Sequence, residues 1–394
     1  MTAPLASVPV SDGVGLTVAL VAETFSPAVN GVVNSVVRAA DHLAVRGHRP
    51  VIVAPSGTSY ESRCGAWIDV VTVPAMRVPH YRQVSIARPG SGLRGVLEGI
   101  GADVVHLASP AVLGLAAGRV ARALHLPTVA VFQTDLAAFA RRYRIPGGTA
   151  GAWWLVRAAH GTADLTLAPS SATVAALRRH GVGPVALWAR GVDLRQFSAD
   201  HRDVRLRRRL APGGELVVGV VARLAREKRL ELLAEVSRLP GVRLVVVGDG
   251  PQRRRLERLM PGASFTGQRS GADLGRLVAS FDLFVHPGRD ETFCQAVQEA
   301  LAAGVPALVA AAGGPLDLVR HGENGWLWDG ADAGVIAAMV AGLRDDRLAL
   351  RVVAARARAS VEHRTWARLG DELIGHYRRV LPAGRAPTVL PEAG

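Results

Sequence analysis

Short apolar runs alternate with amphipathic segments from one end of this chain to the other, and that rhythm leaves few folds open. A parallel sheet needs strands buried on both faces, joined by helices that each cover one face. Residues 16–22 (Leu-Thr-Val-Ala-Leu-Val-Ala) read as such a strand. A turn through Pro27, Asn30 and Gly31 follows, then Val33, Val36, Val37, Ala40, Leu43 and Ala44 recur at helical spacing until Gly47. Residues 50–54, 103–107, 128–132 and 165–168 continue the series, closing a first doubly wound unit near residue 185. A second series runs through 216–221, 243–247, 264–266, 283–286 and 306–309. The polar stretch 190–210 between them is the expected hinge. The expected organisation is an α/β chain with one Rossmann-like domain over 1–189 and a second over 190–364. A helix over 365–381 packs back toward the first domain, and 382–394 form a disordered tail. Ligand belongs in the deep crevice where the strands of both sheets end.

Length agrees with two domains, since 394 residues exceed what one core holds. At 49% hydrophobic and 20% charged residues the chain is globular in composition. No apolar run reaches the roughly 18 residues of a membrane span. The first fifteen residues lack the basic-then-apolar order of a secretory signal, and two cysteines, Cys64 and Cys294, imply no disulfide framework. These features point to a cytoplasmic protein. A net charge of +14 and a pI near 11.2 call for anionic partners. The arginines are scattered, and no zinc ligands, stacking aromatics or basic heptads accompany them, so nucleic acid is not an expected partner. His42, His48, His125 and His180 show no metal-ligand spacing, whereas His106 and His286 end strands at the crevice.

Three segments carry candidate chemistry. Gly31 opens the first helix, where free amides and the helix dipole favour phosphate; a glycine needed only for a tight turn would look the same. No Gly-x-Gly-x-x-Gly is present, which disfavours a dinucleotide cofactor. After the strand 216–221 come Arg223 and Lys228, five residues apart. They offer one planar bidentate donor and one point charge, the pair a diphosphate needs; by itself the segment also reads as a solvated loop. Third, Glu291 stands at the mouth of a helix closed by Gly304, where Thr292, Phe293, Cys294 and Gln295 offer amides to phosphate or sugar. Glu299 follows eight residues later, so both carboxylates are expected on one helix face, one for sugar hydroxyls and one for a ribose diol. Two solvated glutamates would be the plainer alternative, but Glu299 lies in the apolar run Ala-Val-Gln-Glu-Ala-Leu and should have a partner.

Arg223 with Lys228, Gly248–Pro251, Phe265–Gly267, Glu291 with Glu299, and Ala312–Pro315 together resemble glycosyltransferase family 4, whose fold is GT-B. Arg190–Asp193 is similar to the inter-domain segment of that family. Trp188 and the run Gly313–Val319 resemble its actinobacterial branch that uses GDP-mannose. One position departs. Where many members carry a histidine in the N-terminal cleft loop, this chain has Gln133, followed by Thr134 and Asp135. Glutamine can hydrogen-bond a sugar hydroxyl but cannot act as acid or base.

The resemblance implies a retaining hexosyltransferase with no protein nucleophile, in which the leaving phosphate oxygen takes the proton of the acceptor hydroxyl. Arg223 and Lys228 then replace the metal ion that other glycosyltransferases use, and no metal is expected. Gln133 and Asp135 are assigned to the transferred sugar or acceptor. The leading reading is a GDP-mannose-dependent α-mannosyltransferase acting on a glycolipid, peripheral at the inner face of the cell membrane. A rival transfers a glucosyl or amino-sugar unit from a UDP-sugar to a small polyol, aminocyclitol or similar secondary metabolite, with the base read around 265–271. A remoter alternative is a non-catalytic sugar-nucleotide binder. The expected membrane-facing patch is residues 76–88, continued by Arg141, Arg142, Tyr143 and Arg144.

Overall fold

A computed structural model of the chain describes residues 15–26, 31–78, 81–87, 92–330 and 332–382. Its strands are β1 (Thr17–Ala22), β2 (Arg49–Ala54), β3 (Tyr60–Glu61), β4 (Trp67–Thr72), β5 (Ala75–Val78), β6 (Tyr81–Ala87), β7 (Val104–Ala108) and β8 (Thr128–Val131). There follow β9 (Leu165–Ala168), β10 (Val185–Leu187), β11 (Leu216–Val221), β12 (Val242–Val247), β13 (Ser264–Gly267), β14 (Leu283–His286), β15 (Ala307–Ala310) and β16 (Gly325–Trp328).

They form an eight-stranded sheet, β10-β9-β8-β7-β1-β2-β4-β3, and a six-stranded sheet, β13-β12-β11-β14-β15-β16. All pairings within them are parallel except β3 with β4. Residue by residue the strands alternate between two cores. Val18, Leu20 and Ala22 face one side of the first sheet, and Ala19 and Val21 the other. In the second sheet Leu216, Val218 and Val220 face one core and Val217 the opposite one. Continuous apolar strands are what two covered faces demand.

In each sheet the order reverses beside one strand: β1 lies between β2 and β7, and β11 between β12 and β14. Strand ends at such reversals open a crevice. The helix Gly31–Val45 follows β1, and the segment carrying Arg223 and Lys228 follows β11. The expected two-sheet α/β architecture is therefore present. Much of the stretch 190–210 packs on the second sheet: Val192 and Phe197 are buried in its core, and Arg202 and Arg207 pair with Asp282 at 2.7 Å each.

The last helix, Trp366–Val380, belongs with the first sheet. Thr365 caps it, and Leu369, Leu373, Ile374 and Tyr377 enter the core against β1 and β8. Each such side chain contributes roughly 1.5–3 kcal/mol by burial. Tyr377 Oη lies 2.7 Å from His106 Nδ1, so this histidine, expected at a strand end, sits in the middle of β7 as a core group and not a cleft contact. Burial lowers its pKa to about 4, which keeps the ring neutral. The Trp188 indole donates to the Leu369 carbonyl at 2.8 Å, tying the end of the first domain to the same helix. No helix among the described residues is long and apolar enough to cross a membrane.

Candidate active site

The end of β11 presents Arg223 to solvent, and its side chain makes no hydrogen bond or ion pair among the described residues. The chain then turns through a short 3-10 helix, Arg226–Lys228, which points Lys228 inward. There Lys228 Nζ donates to Glu291 Oε1 at 2.6 Å, and His286 Nε2 lies 2.8 Å from the same oxygen. His286 is the last residue of β14 and is 2% exposed. Burial alone would raise the Glu291 pKa, but His286 and Lys228 outweigh it and hold the carboxyl at about 2. Burial likewise opposes charge on His286, yet Cys294 and Glu291 together lift it to about 10. Lys228 is also raised, Glu291 overcoming its desolvation. At neutral pH this is a fixed cation–anion–cation row.

The loop bearing Glu291 is held by its neighbour. Gly314 N donates to the Glu291 carbonyl at 2.8 Å, and Gly313 has φ 65°. A Cβ on Gly313 would sit 2.6 Å from the Glu291 carbonyl, so only glycine lets the two loops close on each other.

The following helix is shorter than its spacing predicts. It runs Gln295–Ala302, with Cys294 at its N-cap in the left-handed region (φ 78°) and no side chain capping it. Glu291 therefore lies four residues ahead in a loop, and the expectation that Glu291 and Glu299 share a helix face is wrong. The left-handed Cys294 breaks the periodicity and turns Glu291 toward Lys228. Thr292 instead bridges the domains: its Oγ1 donates to the Gln133 carbonyl at 3.4 Å, and its carbonyl accepts from Thr173 Oγ1 at 3.3 Å. Phe293 is a core residue.

Glu299 meets a different environment. Burial raises its pKa to about 7, against the opposing hydrogen bond from Gln295 and the charge of Arg190. Gln295 is the hydrogen-bond partner that the apolar surroundings of Glu299 called for, and Arg190 acts on it only through its charge. The Arg190 Nη2 donates to the Gly31 carbonyl at 2.8 Å and to Ser35 Oγ at 2.5 Å, joining the first helix of the N-terminal domain to this one. Burial lowers the Arg190 pKa to about 10. Gln295 and Gln298 donate to the carbonyls of Gly191 and Arg190 at 3.0 and 2.9 Å.

Across the crevice, Asp135 Oδ1 accepts from Ala138 N at 2.8 Å and caps the helix Leu136–Arg142. It also lines a cavity of about 530 Å³, together with Trp153, Thr173, Arg289, Glu291 and Gly313. A second, narrow pocket is bordered by Ser35, Gln133, Arg190, Thr292 and Trp366, and the buried Gln133 Oε1 has no hydrogen-bond partner among the described residues. Thr292 borders both cavities, Glu291 the first and Gln133 and Arg190 the second, while Arg190 links them to Gly31 and, by charge, to Glu299.

Part of the expected membrane patch is used elsewhere. Arg141 and Arg142 reach Asp290 at 3.3 and 3.6 Å, and Tyr143 Oη donates to Glu227 at 3.4 Å, all across the crevice. These side chains clamp the two domains because helix Leu136–Arg142 overhangs the loops that carry Glu227 and Asp290. The remaining patch, 76–88, falls on the antiparallel ribbon β5–β6; its side chains, and all of residues 79, 80 and 88, lie outside the described residues.

His286 and Arg190 are the groups that sequence reasoning undervalued. His286 was legible only as a strand end at the crevice, and Arg190 only as part of an inter-domain match.

Residues 29–196 match Glycosyltransferase Family 4, and residues 202–360 match Glycosyl transferases group 1. The GDP-mannose-dependent alpha-mannosyltransferase of Corynebacterium glutamicum is 42% identical over 93% of this chain and 89% of its own. The protein of that name from Mycobacterium tuberculosis is 45% identical over 93% of this chain and 97% of its own. Among solved structures, sucrose-phosphate synthase from Thermosynechococcus elongatus has a TM-score of 0.73 at 21% identity, covering 92% of this chain and 98% of that one. Anabaena HepE in complex with UDP-glucose has 0.72 at 19%, covering 92% and 100%. The matches span both domains and the crevice between them, and the chain belongs to glycosyltransferase family 4, with the GT-B fold.

Proposed function

We propose that this enzyme transfers mannose from GDP-mannose to an acceptor hydroxyl with retention of configuration, and that the acceptor is a glycolipid. The observation that carries the reading is the charge row Lys228–Glu291–His286 beside the free Arg223, at the end of the central strand of the second sheet. The names of the 42–45% identical relatives supply the donor. Residues 1–189 act as the acceptor side and 190–364 as the donor side.

Arg223 grips the diphosphate with its planar fork, and Lys228 adds a point charge as the glycosidic bond breaks. Glu291, an anion at every physiological pH, has no proton to give. It accepts hydrogen bonds from sugar hydroxyls and stabilises the positive charge that develops at the anomeric carbon as the diphosphate leaves. Gln133 has no proton to exchange either, so the leaving phosphate oxygen takes the acceptor proton. Glu299 receives the ribose diol, with the amides of 292–295 and the turn at Gly31 facing the phosphates. The two cations perform the task a metal ion does elsewhere, so activity should survive EDTA.

Testing GDP- and UDP-sugars in turn for hydrolysis and thermal stabilisation decides the donor. GDP-mannose should give the largest response; a UDP-sugar outperforming it would overturn the donor. Sedimentation with anionic and neutral vesicles tests the acceptor class: binding to anionic vesicles at low salt is expected, and its absence would favour a soluble acceptor.

A further inference from the structure

One ring nitrogen of His286, a carboxylate oxygen of Glu291 and the Sγ of Cys294 lie within 4.8 Å of one another. Only part of this triad is explained by the donor reading. Glu291 serves the sugar, and Cys294 contributes only its backbone amide. Yet its side chain is buried, 7% exposed, beside an imidazole whose buried Nδ1 has no hydrogen-bond partner among the described residues. His286 is otherwise fully enclosed, at 2% exposure. An orphaned buried nitrogen next to a thiol and a carboxylate is a donor set short of one participant.

The chemistry of that set is selective. Imidazole, thiolate and carboxylate are the ligands of Zn²⁺, which on binding would displace the protons carried by His286 and Cys294 to solvent, whereas Mg²⁺ and Ca²⁺ require oxygen-rich shells. A tetrahedral Zn²⁺ draws its ligand atoms to about 3.3–3.8 Å from one another, given bonds of about 2.0–2.3 Å. Each group here needs to move by an ångström or less. An entry path exists, because Glu291 also lines the cavity of about 530 Å³ in the crevice. The cation now holding Glu291 is Lys228, at 2.6 Å. A divalent ion bonded to that carboxylate would displace Lys228 by charge repulsion.

We propose that His286, Glu291 and Cys294 form an inhibitory site for a thiophilic divalent cation, Zn²⁺ in the first instance, whose occupancy excludes the nucleotide-sugar donor. The exclusion rests on the donor reading given above; the metal binding does not. Bound metal takes the carboxylate needed by the sugar and expels the lysine needed by the diphosphate. The enzyme would then need no metal for turnover and still respond to one.

Competition between the full-length enzyme and a chromophoric zinc chelator, without donor, should show one site. Cys294→Ser and His286→Gln should each weaken it at least about tenfold, while Mg²⁺ leaves the protein unchanged. Co²⁺ added to the unaltered enzyme should give a cobalt–thiolate charge-transfer band, a readout that depends on no variant folding. In steady state, Zn²⁺ should raise the apparent KM for the donor and leave kcat unchanged, with reversal by chelator. Absence of the cobalt–thiolate band, or zinc affinity unchanged in Cys294→Ser, overturns the site. Noncompetitive inhibition overturns the exclusion. If Lys228→Ala leaves donor binding intact while zinc still binds, the donor reading fails and the metal site stands.

Discussion

Two carboxylates eight positions apart in one short segment meet opposite fates. Glu291 sits between Lys228 and His286 and is held at about 2; Glu299 sits where burial outweighs Arg190 and is lifted to about 7. Burial opposes charge at both. The difference lies in what surrounds them: two donors share one Glu291 oxygen, whereas the Arg190 guanidinium spends its Nη2 on Gly31 and Ser35. A compensated acid is a permanent anion suited to a developing positive charge. An under-compensated one waits for hydroxyl donors from a ligand.

The largest expected effect follows from removing a cation of the first group. Lys228→Ala leaves Glu291 with His286 alone, so turnover should fall at least about tenfold and the melting temperature should drop with it. One charge-assisted hydrogen bond is worth about 1.5–3 kcal/mol. Full activity in steady-state assays would break the diphosphate assignment. Arg223→Ala should cost activity at a similar or slightly smaller scale with the melting temperature unchanged, because this side chain is exposed and makes no hydrogen bond or ion pair among the described residues. A stability loss there would mean that Arg223 is structural.

The two acids should also give mirror-image pH responses in thermal melts. Glu291, lowered in the folded state, stabilises above the ordinary carboxylate pKa, and that contribution is lost as pH falls from about 4.5 toward about 2. The deficit of Glu291→Gln should therefore shrink in acid. Glu299, raised in the folded state, holds its proton best when folded, so stability declines as pH rises from about 4.5 through about 7. Glu299→Gln should gain on the parent between pH 5 and pH 8. His286 adds stability below its ordinary pKa of 6.5 that is lost as pH climbs toward about 10. Parallel pH responses of the two variants would erase the contrast.

Smallest is the cap across the crevice. Asp135→Ala should cost about 1 kcal/mol of stability, while Asp135→Asn, which still caps, should keep the melting temperature. Activity lost in Asp135→Asn at constant stability would show a contact with sugar or acceptor beyond the cap.

Much of this was legible in the chain. The two series of apolar runs and the Arg223, Lys228 and Glu291 motif positions carried the fold and family, because strand burial and motif spacing are local properties. What escaped was non-local or broke a period. Helical spacing joined Glu291 to Glu299, but a left-handed Cys294 intervenes, a conformation that cysteine does not advertise. The Arg190–Gly31 contact spans 159 positions, and His286 acquires its role only when the Gly313–Gly314 loop folds over Glu291. Arg141, Arg142 and Tyr143 read as a surface patch because nothing in their own neighbourhood foretells Asp290 and Glu227 opposite.

The division of labour between the two acids is tested most directly by titrating GDP into the parent, Glu291→Gln and Glu299→Gln enzymes in a calorimeter. GDP carries the ribose and diphosphate but no transferred sugar. Glu299→Gln should therefore lose most of the GDP affinity, while Glu291→Gln should bind GDP as the parent does and fail in transfer. Equal losses for both variants would contradict the assignment.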